Sequence, residues 1–168
     1  MDIFSSAEAL PLSQFGLLWR WNDPRHAVLP DGAIAQIHAL SARAAAELAR
    51  TAATLGATFP EGQWPTRIPA PSDSQAATDR VRAALQALPI AAAETIVVSW
   101  SVELAVFARW GIFAEYWDTF CYPSSDDVTV WPTRLSAGGP EAQREAWVLQ
   151  YRHYELIEFG YLDPVRPN

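Results

Sequence analysis

The sequence predicts an α+β domain: one antiparallel sheet with helices packed mainly on one of its faces. Three observations carry this. Apolar residues recur at helical spacing over 77–88, alternate strictly over 96–106, and alternate again through the closing run "EAWVLQYRHYELIEFGYL" at 145–162. No repeat or low-complexity tract interrupts the chain, so one α+β domain over 1–168 accounts for all of it. With 168 residues, half of them hydrophobic and eight of them tryptophan, the chain can bury a substantial core without disulfides or metals.

Taken in order, Phe15, Leu17, Trp19 and Trp21 alternate with other residues, which predicts a short strand or extended segment before the turn at "NDP". Asp31 is placed to cap a short helix carrying Ile34, Ile37 and Leu40. Ser41 is placed to cap a second, with Ala45, Leu48, Ala52 and Leu55 on one face and Gly56 as its stop. One continuous helix also fits these residues. Residues 57–71 hold four prolines and a glycine, and read as an irregular connection pinned by Phe59 and Trp64.

Ser72 to Gln75 match an S-x-x-Q capping box. Ala77, Val81, Ala84, Leu85 and Leu88 then share a helix face, and Pro89 closes it. Ile96, Val98, Trp100, Val102, Leu104 and Val106 predict one strand, or two with a kink near Ser101. After Gly111, helical spacing returns in Phe113, Tyr116, Trp117 and Phe120. A turn at "PSSDD", a strand "VTVW" and a loop over 133–141 follow. The closing run reads as one strand. Trp147, Leu149, Tyr151, His153, Glu155, Ile157 and Phe159 lie on one face; Val148, Gln150, Arg152, Tyr154, Leu156 and Glu158 on the other. Neither face is wholly polar, so both are expected to be partly covered.

Charge and composition exclude several chemistries. A net charge of −7 with a pI near 4.8 argues against nucleic acid, and suits a basic protein partner instead. All twelve basic residues are arginine, which removes every lysine-based mechanism, from phosphate-binding loops to Schiff bases. The single cysteine, Cys121, excludes an internal disulfide and a multi-cysteine zinc site. "MDIFSSAEALPLSQF" lacks the basic start and apolar run of a signal peptide, and "TIVVSWSV" is too short to cross a bilayer. The expectation is a soluble, cytoplasmic protein without cofactor or membrane partner.

The stretch "YWDTFCYPSSDDVTVWP" at 116–132 concentrates aromatics, three aspartates and the cysteine. As structure, "PSSDD" is a turn whose side chains bond nearby backbone. As a site, Asp126 and Asp127 supply charge while Tyr122, Trp131 and Trp117 form an aromatic rim for an arginine or lysine of a partner. A metal is disfavoured, because the glycine and terminal glutamate of a calcium loop are missing. His153 and Glu155 fall on one side of a strand and could do general-base work, or His153 is simply a half-buried hydrogen-bonding residue. No nucleophile elbow or nearby second histidine completes that pair. Cys121 reads as a small buried hydrophobe, and Trp100, Trp117 and Trp147 as core; Trp64 and Trp131 flank prolines, where aromatics mark contacts or a homodimer.

"LLWRWNDPRHAVLP", "YWDTFCYPSSDDVTVWP" and "YRHYELIEFG" together resemble segments of small bacterial proteins, some of the kind found as immunity partners of toxins. The resemblance implies a binding protein rather than an enzyme. The leading expectation is therefore non-catalytic protein binding, with immunity-type neutralisation of a basic partner. The alternatives are a small hydrolase or small-ligand enzyme using His153, Glu155 and the Asp126/Asp127 pair, and a structural homodimer.

Overall fold

The computed structural model describes residues 9–54, 64–123, 125–134 and 146–162. In chain order the elements are α1 (Trp19–Asn22), β1 (Ala27–Val28), α2 (Asp31–Ile34), β2 (His38–Ala39), α3 (Ala42–Thr54), β3 (Thr66–Pro69) and α4 (Gln75–Gln86). There follow β4 (Thr95–Ser101), β5 (Leu104–Arg109), α5 (Trp110–Glu115), α6 (Trp117–Phe120), β6 (Val128–Pro132), β7 (Trp147–Arg152) and β8 (Leu156–Tyr161). Seven strands form one sheet in the order β2-β5-β4-β6-β7-β8-β3, and every neighbouring pair is antiparallel. The α+β class holds. Both edges are blunt: β2 has two residues, and β3 has four and ends on Pro69, so neither offers a long template for further pairing.

Side-chain alternation along the central strands divides the core in two. One face carries Ile96, Val98, Val106, Val130, Trp147, Leu149, Tyr151, Ile157 and Phe159. Trp21 of α1, Val81 and Leu85 of α4, Phe113 of α5, and Trp117 and Phe120 of α6 pack onto it. The other face carries Val97, Ala105, Phe107, Trp131 and Val148, and is covered by Ala44, Ala45 and Ala52 of α3 with Trp64. Most helices thus share one face, and α3 alone among the described helices serves the other. No helix among the described residues is long and apolar enough to cross a membrane.

Several boundaries differ from expectation, each for a local reason. The 15–21 segment is not extended. A helical turn there lets Phe15 stack on Trp21 at 5.8 Å and nearly parallel, while Trp19 turns towards His26 at 4.3 Å. Asp31 opens α2 rather than capping it; Pro30 holds the cap position. The separation at Ser41 is real. The Leu40 N–H donates to the Ala105 carbonyl at the sheet, and the Ala44 N–H donates to Ser41 Oγ at 3.2 Å, starting α3 afresh. The proposed stop at Gly56, together with Leu55, Phe59 and residues 135–141, lies outside the described residues.

Ser74, not Ser72, caps α4: its Oγ accepts the Ala77 N–H at 3.2 Å. The connection before it contains strand β3. Both long alternating runs prove to be hairpins. In β4–β5, Val98 lies opposite Val106, so even-numbered residues share a face in the paired parts of both strands, and the register shifts by one between Ser99 and Ser101, just before the Val102–Glu103 turn. In β7–β8, Tyr151 lies opposite Ile157, so odd-numbered residues likewise share a face. Glu155, at φ 63°, reverses the chain there in the left-handed conformation.

Candidate functional site

The antiparallel register brings three chain reversals to one end of the sheet. Ser99 lies opposite Thr129, and Thr129 opposite Gln150. The Val102–Glu103 turn, the Asp126–Asp127 approach to β6 and the turn at 153–155 therefore stand side by side. Val102 and Tyr154 are large apolar residues left more than half exposed at this rim. Glu103, Asp127 and His153 are exposed beside them, and Glu155 is half-buried.

The two adjacent aspartates have opposite fates. Asp126 is buried and receives both terminal nitrogens of the buried Arg20, Nη1 on Oδ2 and Nη2 on Oδ1 at 3.0 Å. The Tyr122 N–H donates to Oδ2 as well, at 2.9 Å. Arg20 in turn lies against the Tyr122 ring at 4.5 Å and donates to the Phe120 carbonyl. The hydrogen bonds of this carboxylate all lie inside the protein, so burial gives Asp126 a structural role in place of the exposed charge expected of it. Alternation supplies no such warning, because both aspartates precede β6.

Asp127 remains outside. Its Oδ1 accepts the His153 backbone N–H at 3.0 Å and lies 3.1 Å from His153 Nδ1. Partial burial pushes the Asp127 carboxyl up, but the two His153 contacts and the nearby Arg152 outweigh it and hold the group below its ordinary range. Glu155 does not join this pair. Its half-buried side chain accepts from the Ser72 hydroxyl at 3.5 Å, on the β3 side of the sheet. The four residues of the hydrolase alternative thus separate into three groups: Asp127 with His153, Asp126 with Arg20, Glu155 with Ser72. Among the described residues, no group of three or more His, Cys, Asp or Glu is arranged to hold a metal ion.

The aromatic candidates move inward too. Trp117 is fully buried, with its Nε1 donating to the Thr78 carbonyl at 3.2 Å. Its rim role is excluded by burial, and its core role stands. Trp131 and Trp64, expected to mark contacts, are 2% and 5% exposed in the α3-side core. Tyr122 is half-buried, flanked by Trp19 at 5.6 Å and His26 at 5.9 Å. Cys121 is buried; desolvation, and then the charge of Asp126, push its thiol well up. In the folded protein it should therefore resist thiol-specific labelling at pH 8, and react only as denaturant unfolds the chain. Rapid labelling of the native protein would refute this.

A cleft of about 320 Å³ opens on the α3 side of the same end. Ala49, Ala52 and Ala53 of α3 form one wall, and Ser99, Ser101, Val102, Asp127, Thr129, Trp131 and Gln150 contribute from the sheet side. A row of polar residues, each opposite the next on five strands, starts in this cleft with Ser99, Thr129 and Gln150 and continues beyond it to Glu158 and Arg67. Glu158 is buried and joins Arg67 at 3.3 Å and Arg152 at 3.2 Å. This row escapes sequence reading because strand register is needed to align it. Arg20 carried a usable signal: a guanidinium next to Trp21 in an aromatic-rich segment is a candidate for burial, and a buried guanidinium demands an acceptor. Compared with protein-family models, with curated proteins and with solved structures, the chain finds no match.

Proposed function

We propose that this chain is a non-catalytic protein-binding domain that neutralises a basic partner in the manner of an immunity protein, acting in the cytoplasm. The observation that supports the reading is the end of the sheet. Glu103, Asp127 and Glu155 project from adjacent reversals there, with the exposed Val102 and Tyr154 between them. Acidic groups around apolar anchors suit a cationic protein surface, and the overall charge of −7 reinforces the attraction at long range. Short hairpin turns hold Glu103 and Glu155, and the His153 contacts hold Asp127, so little ordering entropy is lost on docking. Tyr122 and Asp127 remain in this interface from the sequence expectation; Asp126 acts beneath it as a support.

The test compares wild type with the triple variant Glu103→Gln, Asp127→Asn, Glu155→Gln as bait in native lysate. Wild type should retain a basic protein, and retention should weaken as salt rises. The triple variant, with an unchanged melting curve, should bind that protein about tenfold more weakly. Equal retention by both baits, or retention of acidic proteins only, would remove the rim from consideration.

A further inference from the structure

We propose that the cleft between α3 and the sheet receives an arginine side chain of the basic partner, an inference that rests on the docking role of the adjoining rim. The lining divides by chemistry in the way such a side chain does. Ala49, Ala52, Ala53, Val102 and the Trp131 ring supply apolar contact for a methylene stem. Ser99, Ser101, Thr129, Gln150 and Asp127 supply oxygen acceptors for a guanidinium, and among the described residues that line the cleft none is cationic.

Two details strengthen the match. Gln150 Oε1 is buried and has no hydrogen-bond partner among the described residues, an unusual state for a side-chain carbonyl. A guanidinium N–H would satisfy it once the amide turns into the cleft that Gln150 lines. Both His153 contacts of Asp127 fall on Oδ1, which leaves Oδ2 without a hydrogen-bond partner among the described residues. Arg152, the cation on β7 next to this row, is already engaged by Glu158 at 3.2 Å, so it does not answer the cleft's acceptors. A volume of about 320 Å³ accommodates one long side chain rather than a folded element. The acidic rim and the cleft mouth are continuous through Asp127 and Val102, so a partner seated on the rim has its side chains over the opening.

The experiment titrates the full chain with N-acetyl-arginine-methylamide, and in parallel with the citrulline analogue, which has the same shape without the charge. Indole N–H resonances in two-dimensional NMR provide the readout. Saturable shifts with the arginine probe, at least tenfold weaker with citrulline and tenfold weaker with Asp127→Asn, are expected. The variant Ala49→Leu, Ala53→Leu fills the cleft and leaves Glu103, Asp127 and Glu155 in place. It should lose probe binding and weaken the captured partner at least tenfold. Equal binding of arginine and citrulline, probe binding unaffected by filling, or no saturable shift would overturn the cleft's role. Full partner affinity in the filled variant would overturn it as well, while the rim reading stood. Loss of the partner in the double variant Glu103→Gln, Glu155→Gln, which keeps Asp127 in the cleft, tests the rim alone, so the two failures are distinguishable.

Discussion

Asp126→Ala should cost about 3–5 kcal/mol of folding stability. The loss arises less from the missing attraction than from what stays behind. Arg20 is only 5% exposed, and without the carboxylate its guanidinium is a buried charge whose nearest remaining acceptor is the Phe120 carbonyl at 3.4 Å. The Tyr122 N–H loses its acceptor in the same stroke, and the turn at 122–126 loses its tie to α1. Denaturant titration followed by tryptophan fluorescence measures the change. Asp127→Asn, one residue along, should shift stability by no more than about 0.5 kcal/mol, because its carboxylate is solvated and its His153 contact is exposed. Equal costs at the two positions would contradict the division between a structural and a surface aspartate. Replacing the pair together, by Arg20→Met with Asp126→Leu, should recover much of the loss, since apolar residues of similar size leave no unpaired charge.

Trp117→Ala should cost about 3–5 kcal/mol as well, and for a different reason. The indole is fully buried between α4 and the sheet, 6.4 Å from the Tyr151 ring, with its N–H on the Thr78 carbonyl. Truncation removes a large apolar area from the core and leaves a cavity that three packed elements cannot easily close. Trp117→Phe retains most of the volume and should cost about 1–2 kcal/mol, part of it from the lost indole hydrogen bond to the Thr78 carbonyl, which keeps its acceptor role within α4. If Trp117→Ala left stability unchanged while weakening partner capture, the residue would belong to the interface after all.

Much of the fold was legible because it is written in short-range periodicity. Val81 and Leu85 sit at helical spacing, and α4 forms around them. Ile96, Val98 and Val106 alternate, and β4 and β5 form. Ser41 carries a cap-competent hydroxyl, and α3 begins after it. The hairpins were harder to see. A hairpin that pairs even residues with even, as in Val98 and Val106, leaves the alternation of its paired parts in phase, so the reversal has no signature in the pattern. The start of the chain misled because Trp19 and Trp21 serve opposite surroundings from a helical turn, which alternation over so few residues does not distinguish from a strand.

The candidate site was legible by position more than by role. The region around residues 122–127 does reach the end of the sheet, and Asp127 is exposed there. Its neighbour is not, and nothing local separates them, because the partner that buries Asp126 lies 106 residues away at Arg20. Residue types and spacing by themselves determined the class of fold, the helices that bear a clear face, the central strands and the acidic balance, since each depends on neighbours a few positions apart. Tertiary structure alone decided which aspartate is buried, that His153 meets Asp127 and not Glu155, and that Ser99, Thr129 and Gln150 align along one cleft. Those outcomes depend on strand register and on contacts between distant segments, which form only when the chain has folded.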